Sequence, residues 1–170
     1  MAMGAKRKAC VCDSGAPYST CCGPLHRGVA LAASPLALMR SRYAAFALGC
    51  GAYLYETLAT GHPDRVRSEV DFVRALAGRA RRFMGLRIFG TWENGDHGEV
   101  LFAARIFERG KSVGIVELSR FELAGGRWLY ADGVLAPLES FTDGDLAGLS
   151  REGFLERVRI GADRRGLVGA

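Results

Sequence analysis

Four cysteines fall within thirteen positions near the start of the chain: Cys10 and Cys12, then eight residues, then Cys21 and Cys22. Such a cluster can serve a disulfide framework, a redox centre or a metal. The adjacent Cys21 and Cys22 are poorly placed to bridge each other, because neighbouring Cα atoms lie about 3.8 Å apart and a disulfide needs more. Crossed bridges between the two pairs would suit a small secreted domain without a core. Residues 1–8 are basic and carry no apolar stretch of the kind a secretory signal has, so a reducing, cytoplasmic setting is expected. In that setting metal is the better account. Zinc takes four thiolates at tetrahedral corners, and residues 13–20, with Gly15 and Pro17, contain enough turn formers to fold back. One structural Zn2+ held by Cys10, Cys12, Cys21 and Cys22 is therefore expected, with Lys6, Arg7 and Lys8 lowering the thiol pKa values. A closed four-cysteine site lacks the open position that catalytic zinc needs. His26 reads as an outer partner or a packed side chain, and Cys50 as a core residue.

A second group of residues could do acid/base chemistry. In the segment 113–123 the side chains alternate, so Val113, Ile115, Glu117, Ser119 and Phe121 share one face, and Val116, Leu118 and Arg120 the other. On the next segment Trp128, Tyr130 and Asp132 share a face. If Glu117 and Ser119 turn inward with Tyr130 and Asp132, they enclose two carboxylates, a hydroxyl and a phenol. The alternative is a buried ion pair between Glu117 and Arg40 or Arg42 that fastens helix to sheet, with Asp132 as a turn residue. His62, before Pro63, is either a pocket acid/base or a capping side chain. No serine triad, P-loop or dinucleotide fingerprint is present.

The elements that must hold these residues follow from periodicity. Ser34 and Pro35 open a helix as N-cap and first residue, with Met39, Tyr43, Phe46 and Cys50 on an apolar stripe and Arg40 and Arg42 off it. A short helix over 52–58 follows the glycines at 49 and 51. Ser68 and Asp71 form a capping box for a helix with Val73, Leu76, Ala77 and Ala80 on one face and Arg74, Arg79, Arg81 and Arg82 on the other. From Met84 the period becomes two. Strands are expected near 84–92, 99–108, 113–123 and 128–132, separated by turns at 94–98, 109–111 and 124–126. Thr142 with Asp145, and Ser150 ahead of Phe154, Leu155 and Val158, mark short C-terminal helices, with the chain frayed from Arg164. Helices followed by an antiparallel meander make an α+β fold.

The chain has 170 residues, 49% of them apolar and 24% charged, which suits one cored domain with a small appendage. No apolar run is long enough to span a bilayer. The formal charge of +5 is concentrated at the N-terminus and in 65–87, where seven arginines face Glu69 and Asp71. That charge permits nucleic acid, but without a recognised module the segment reads as a solvated face rather than a nucleic-acid surface.

Residues 10–23, Cys-Val-Cys-Asp-Ser-Gly-Ala-Pro-Tyr-Ser-Thr-Cys-Cys-Gly, resemble the SEC-C metal-binding motif, with Val11 in place of its proline and Asp13 in place of its glycine. Gly23 to His26, residues 37–43, Thr60 to Pro63, Glu117 to Phe121 and Gly126 to Gly133 are similar to the YchJ-like family. That resemblance implies a zinc knuckle over 1–28, a nuclear transport factor 2-like cone over 29–133, in which a curved sheet wraps around helices (a cystatin-like fold), and an extension over 134–170. It implies two functions. In one, the knuckle is structural or docks on a protein partner, while the cone is a scaffold or holds a small ligand. In the other, the cone is an enzyme site for acid/base chemistry such as cyclisation, isomerisation or dehydration, and the zinc is purely structural.

Overall fold

The computed structural model describes residues 9–77 and 80–166, with backbone alone from 162. The basic run Lys6 to Lys8, Arg79 and residues 167–170 lie outside the described residues, and with them the expected effect of that run on the thiols. After a 3-10 turn at Tyr18–Thr20 come helices α1 (Cys22–His26), α2 (Pro35–Leu48), α3 (Gly51–Glu56) and α4 (Glu69–Ala77). Strands β1 (Arg81–Asn94), β2 (His97–Glu108), β3 (Lys111–Ser112), β4 (Ile115–Ala124) and β5 (Arg127–Pro137) follow, then α5 (Asp143–Ala147) and α6 (Arg151–Gly166).

The caps act where the sequence places them. Ser34 Oγ accepts from the Ala37 amide at 3.1 Å, Ser68 Oγ from the Asp71 amide at 3.1 Å, and Thr142 and Asp145 form a reciprocal capping box. The strands pair antiparallel in the order β1-β2-β4-β5, with β3 on β2. Helices packed on this curved sheet give the expected α+β architecture, with a cysteine cluster at its N-terminal end.

Two cores flank the sheet. On the inner face, α2, α3 and α4 pack against Val100, Phe102, Ala104, Phe121 and Trp128. On the outer face, Leu101, Ala103, Val116 and Leu118 meet Phe141 and Phe154 from the C-terminal segment. Strands β2 and β4 are thus buried on both sides, which explains the unbroken apolar run Val100 to Ala104. The C-terminal segment is longer in helix than the sequence suggests, since α6 spans 16 residues. It forms a second layer over the sheet, tied by Arg151, which donates to both carboxylate oxygens of Glu99 at 2.5 and 3.1 Å.

Candidate functional site

The four cysteine sulfurs lie within 4.8 Å of one another, with Cys12 Sγ 3.5 Å from Cys21 Sγ and Cys21 Sγ 3.8 Å from Cys22 Sγ. Tetrahedral thiolates around a metal at about 2.3 Å sit about 3.8 Å apart, so the donor set fits such an ion. All five cysteines are free of disulfides. Ser14 Oγ lies 3.1 Å from Cys21 Sγ and supports that ligand. Hydrogen bonding with Cys22 pushes the Cys12 thiol down to about 4, while that contact and burial hold Cys22 well above the usual thiol range.

The knuckle is built into the domain. Cys10, Cys12 and Cys22 are buried in the same core as Leu38, Met39 and Tyr43 of α2. The Arg40 guanidinium donates to the Cys12 carbonyl. Asp13 sits at φ +56°, a left-handed conformation that glycine usually takes, and its Oδ2 accepts from the Leu86 amide of the edge strand β1 at 2.7 Å. The departure from the motif's glycine therefore adds a tether. His26 is no ligand: Nε2 donates to the Ser41 carbonyl at 2.8 Å, which leaves Nδ1 to accept from Tyr18 OH at 3.0 Å. Burial lowers its pKa and keeps this ring neutral.

The cone encloses a cavity of about 300 Å3. Its walls are mainly apolar, including Met39, Phe72, Phe83, Phe102 and Ile115, and its polar end brings together Glu117, Ser119, Tyr130, His62 and Arg42. Glu117 Oε1 accepts from Ser119 Oγ at 2.6 Å and from Tyr130 OH at 3.0 Å. Burial pushes the Glu117 carboxyl above the usual carboxylate range, despite those donors and the Arg42 charge. Tyr130 is likewise held above its usual value by burial, with Glu117 adding to the effect.

Backbone pairing positions this group. Tyr130 NH donates to the Thr57 carbonyl and the Tyr130 carbonyl accepts from the Ala59 amide, both at 2.8 Å, which clamps the end of α3 to β5. His62 Nδ1 accepts from the Asp64 amide at 3.1 Å, and its ring lies 5.4 Å from that of Tyr130. It is both a cap and a cavity wall, and burial holds it neutral.

Asp132 is not brought to the cavity. A bulge at Ala131 pairs Phe121 with Tyr130 but Arg120 with Asp132, so the alternation along β5 shifts by one residue. Asp132 instead forms an exposed ion pair with Arg120. Nor does Glu117 pair with Arg40 or Arg42 within 4.0 Å among the described residues.

Sequence periodicity missed two contributors. Arg42 was set off the apolar stripe, yet α2 is packed on nearly all sides and buries it. Gly133 faces Ser119 across the β4–β5 pair; a Cβ there would lie 2.4 Å from Glu117 Oε1 and 2.8 Å from Tyr130 OH. The signal for Gly133 was its place opposite a polar inward position.

The profile of the family described as YchJ, middle NTF2-like domain, matches residues 34–133. The chain belongs to the YchJ family. It is 40% identical over 131 residues to the UPF0225 protein YchJ of Shigella dysenteriae serotype 1, covering 73% of this chain and 81% of that protein. The solution structure of a SEC-C motif containing protein from Rhodopseudomonas palustris is 42% identical, with a TM-score of 0.65 over 75% of this chain and 98% of that one. A crystal structure of a SEC-C motif containing protein from Psychrobacter arcticus shares the fold at 21% identity, with a TM-score of 0.61 over 74% of this chain and 81% of that one. The likeness to SEC-C motif proteins and the four-cysteine cluster together suggest metal binding. No described helix is long and apolar enough to cross a membrane.

Proposed function

We propose that this YchJ-family chain is a small-ligand-binding protein of a reducing, cytoplasmic setting, in which one structural zinc fixes the N-terminal knuckle over 1–28 onto the cone over 29–133. The observation that carries this reading is the cavity itself: about 300 Å3, apolar along its walls, with Glu117, Ser119 and Tyr130 hydrogen-bonded at one end. A few convergent polar groups in an apolar chamber suit recognition of a ligand's polar end. The burial of Cys10, Cys12 and Cys22 within the inner core supports a structural role for the zinc over a free docking module. A protein partner would reach the outer rim of the knuckle, where Val11, Ser14, Ser19 and Thr20 are exposed, and not its buried cysteines.

The test is a fragment screen on the full metal-loaded chain, read by methyl NMR. Binding that shifts Met39 and Ile115 is expected; a library that shifts neither removes the cavity reading. Elemental analysis should find one zinc per chain, and a value well below one would remove the zinc. A second reading, an acid/base enzyme, is favoured by one observation: Glu117 is held toward its protonated form beside Tyr130, as a general acid requires. It predicts that Glu117→Gln abolishes turnover of a bound ligand while leaving binding within a few fold.

A further inference from the structure

The charged side chains around the cavity are unequally satisfied. Arg81 pairs with Glu108 at 3.2 Å, and Asp64 lies within 4.0 Å of Arg67 and of His62. Arg42 is 7% exposed and has no carboxylate within 4.0 Å among the described residues. Its Nη1 donates to the Leu54 carbonyl at 2.8 Å and to Thr57 Oγ1 at 2.6 Å, which occupies that nitrogen. Nε and Nη2 make no hydrogen bond among the described residues. Among the described residues no fully enclosed side-chain nitrogen or oxygen lacks a partner, so these two groups must border open space, and the open space beside Arg42 is the cavity. The guanidinium also lies over the Tyr130 ring, 4.7 Å from its centroid, which fixes the plane of the fork.

A buried guanidinium without a counter-ion is costly unless something charged pairs with it. Glu117 compensates it only in part: the two interact at a distance beyond 4.0 Å, Glu117 Oε1 is taken by Ser119 and Tyr130, and burial drives the carboxyl toward the neutral form. The missing partner is an anion small enough to enter the cone. A fork of N–H donors on a fixed plane matches a carboxylate edge. Apart from His62 and the paired Asp64 and Arg81, the remaining walls are mainly aromatic and aliphatic, so the rest of the ligand is apolar. At about 30 Å3 per water-sized group, the cavity holds about ten non-hydrogen atoms.

Resting on the reading that the cone holds a small ligand, we infer that this ligand is a small amphipathic monocarboxylic acid, its carboxylate on Nε and Nη2 of Arg42 and its apolar body among Met39, Phe83, Phe102 and Ile115.

Three probes of one shape test this on the full metal-loaded chain: phenylpropionate, its amide, and phenylpropylamine. Titrations are followed at the Met39 and Ile115 methyls. The acid is expected to bind about tenfold or more tighter than the amide, with the amine weakest, because only the acid adds a charge-assisted pair. Arg42→Gln should erase that preference. Since Arg42 also holds the end of α3, the three-probe comparison on the unaltered chain decides the matter if the variant does not fold. An amide or amine binding as tightly as the acid would overturn the acid inference while leaving the cavity as a ligand site. No shift from any probe at about 10 mM, beyond the millimolar limit of useful affinity, would overturn both.

Discussion

Glu117 is buried beside Ser119, Tyr130 and Gly133, and that burial decides where its proton sits. The unfolded carboxyl titrates at about 4.3, and burial raises the folded value above that. The native state therefore keeps a proton the unfolded chain has lost. This contribution to stability is complete below about pH 4.3 and falls away as pH rises through the folded pKa. Glu117→Gln, which keeps the shape without the charge, should flatten that fall. The measurement is the difference in urea unfolding free energy between the two proteins at pH 4 and at pH 8. A difference that does not change with pH would mean the carboxyl is unperturbed. Gly133→Ala probes the same group from the neighbouring strand: its Cβ would press on Glu117 and Tyr130, and overpacking of this kind costs about 1–3 kcal/mol. Equilibrium denaturation checks it, and a cost near zero would show that the pair has room to move.

The elements were more legible than the site they build. Caps at Ser34, Ser68 and Thr142, the switch of period near Met84 and the turn glycines mark helices and strands, because those signals are local. What sequence could not show was which side of an element would be covered twice. Periodicity puts Arg42 off the apolar stripe of α2 and leaves open which of Arg40 and Arg42 is buried; packing of α2 by sheet, knuckle and α3 together buries Arg42. Asp132 looked inward because strict alternation was assumed, and a one-residue bulge at Ala131 reverses it. The C-terminal segment reads in sequence as an extension of short helices, although the doubly apolar strand β2 already required a second cover. Phe154 is 0% exposed at the centre of that cover, so Phe154→Ala should cost about 3–5 kcal/mol, measured by urea unfolding. A loss below 1 kcal/mol would show that α6 is only loosely attached. Asp13→Ala should cost about 1 kcal/mol in the same assay, through loss of the bond to the Leu86 amide and the strain of an alanine at positive φ.

Across the whole molecule, the knuckle and the cone share a core, so they are expected to unfold as one cooperative unit. Stripping the proposed metal with a chelator would release Cys10, Cys12 and Cys22 from their common centre beside α2, so the cone should lose stability along with the knuckle. Trp128 is buried in the inner core and reports on the cone directly. Its fluorescence should show one urea transition, moved to lower urea after chelation; an unmoved midpoint would mean the knuckle is independent. The tether from Asp13 to the Leu86 amide carries one more consequence. That amide points outward from β1, the outermost strand of the sheet, where an unpaired backbone is a template for another chain. The knuckle thus covers a sticky border, and loss of the proposed metal would uncover that edge together with the loosening of the shared core, leaving β1 open to pairing with another copy.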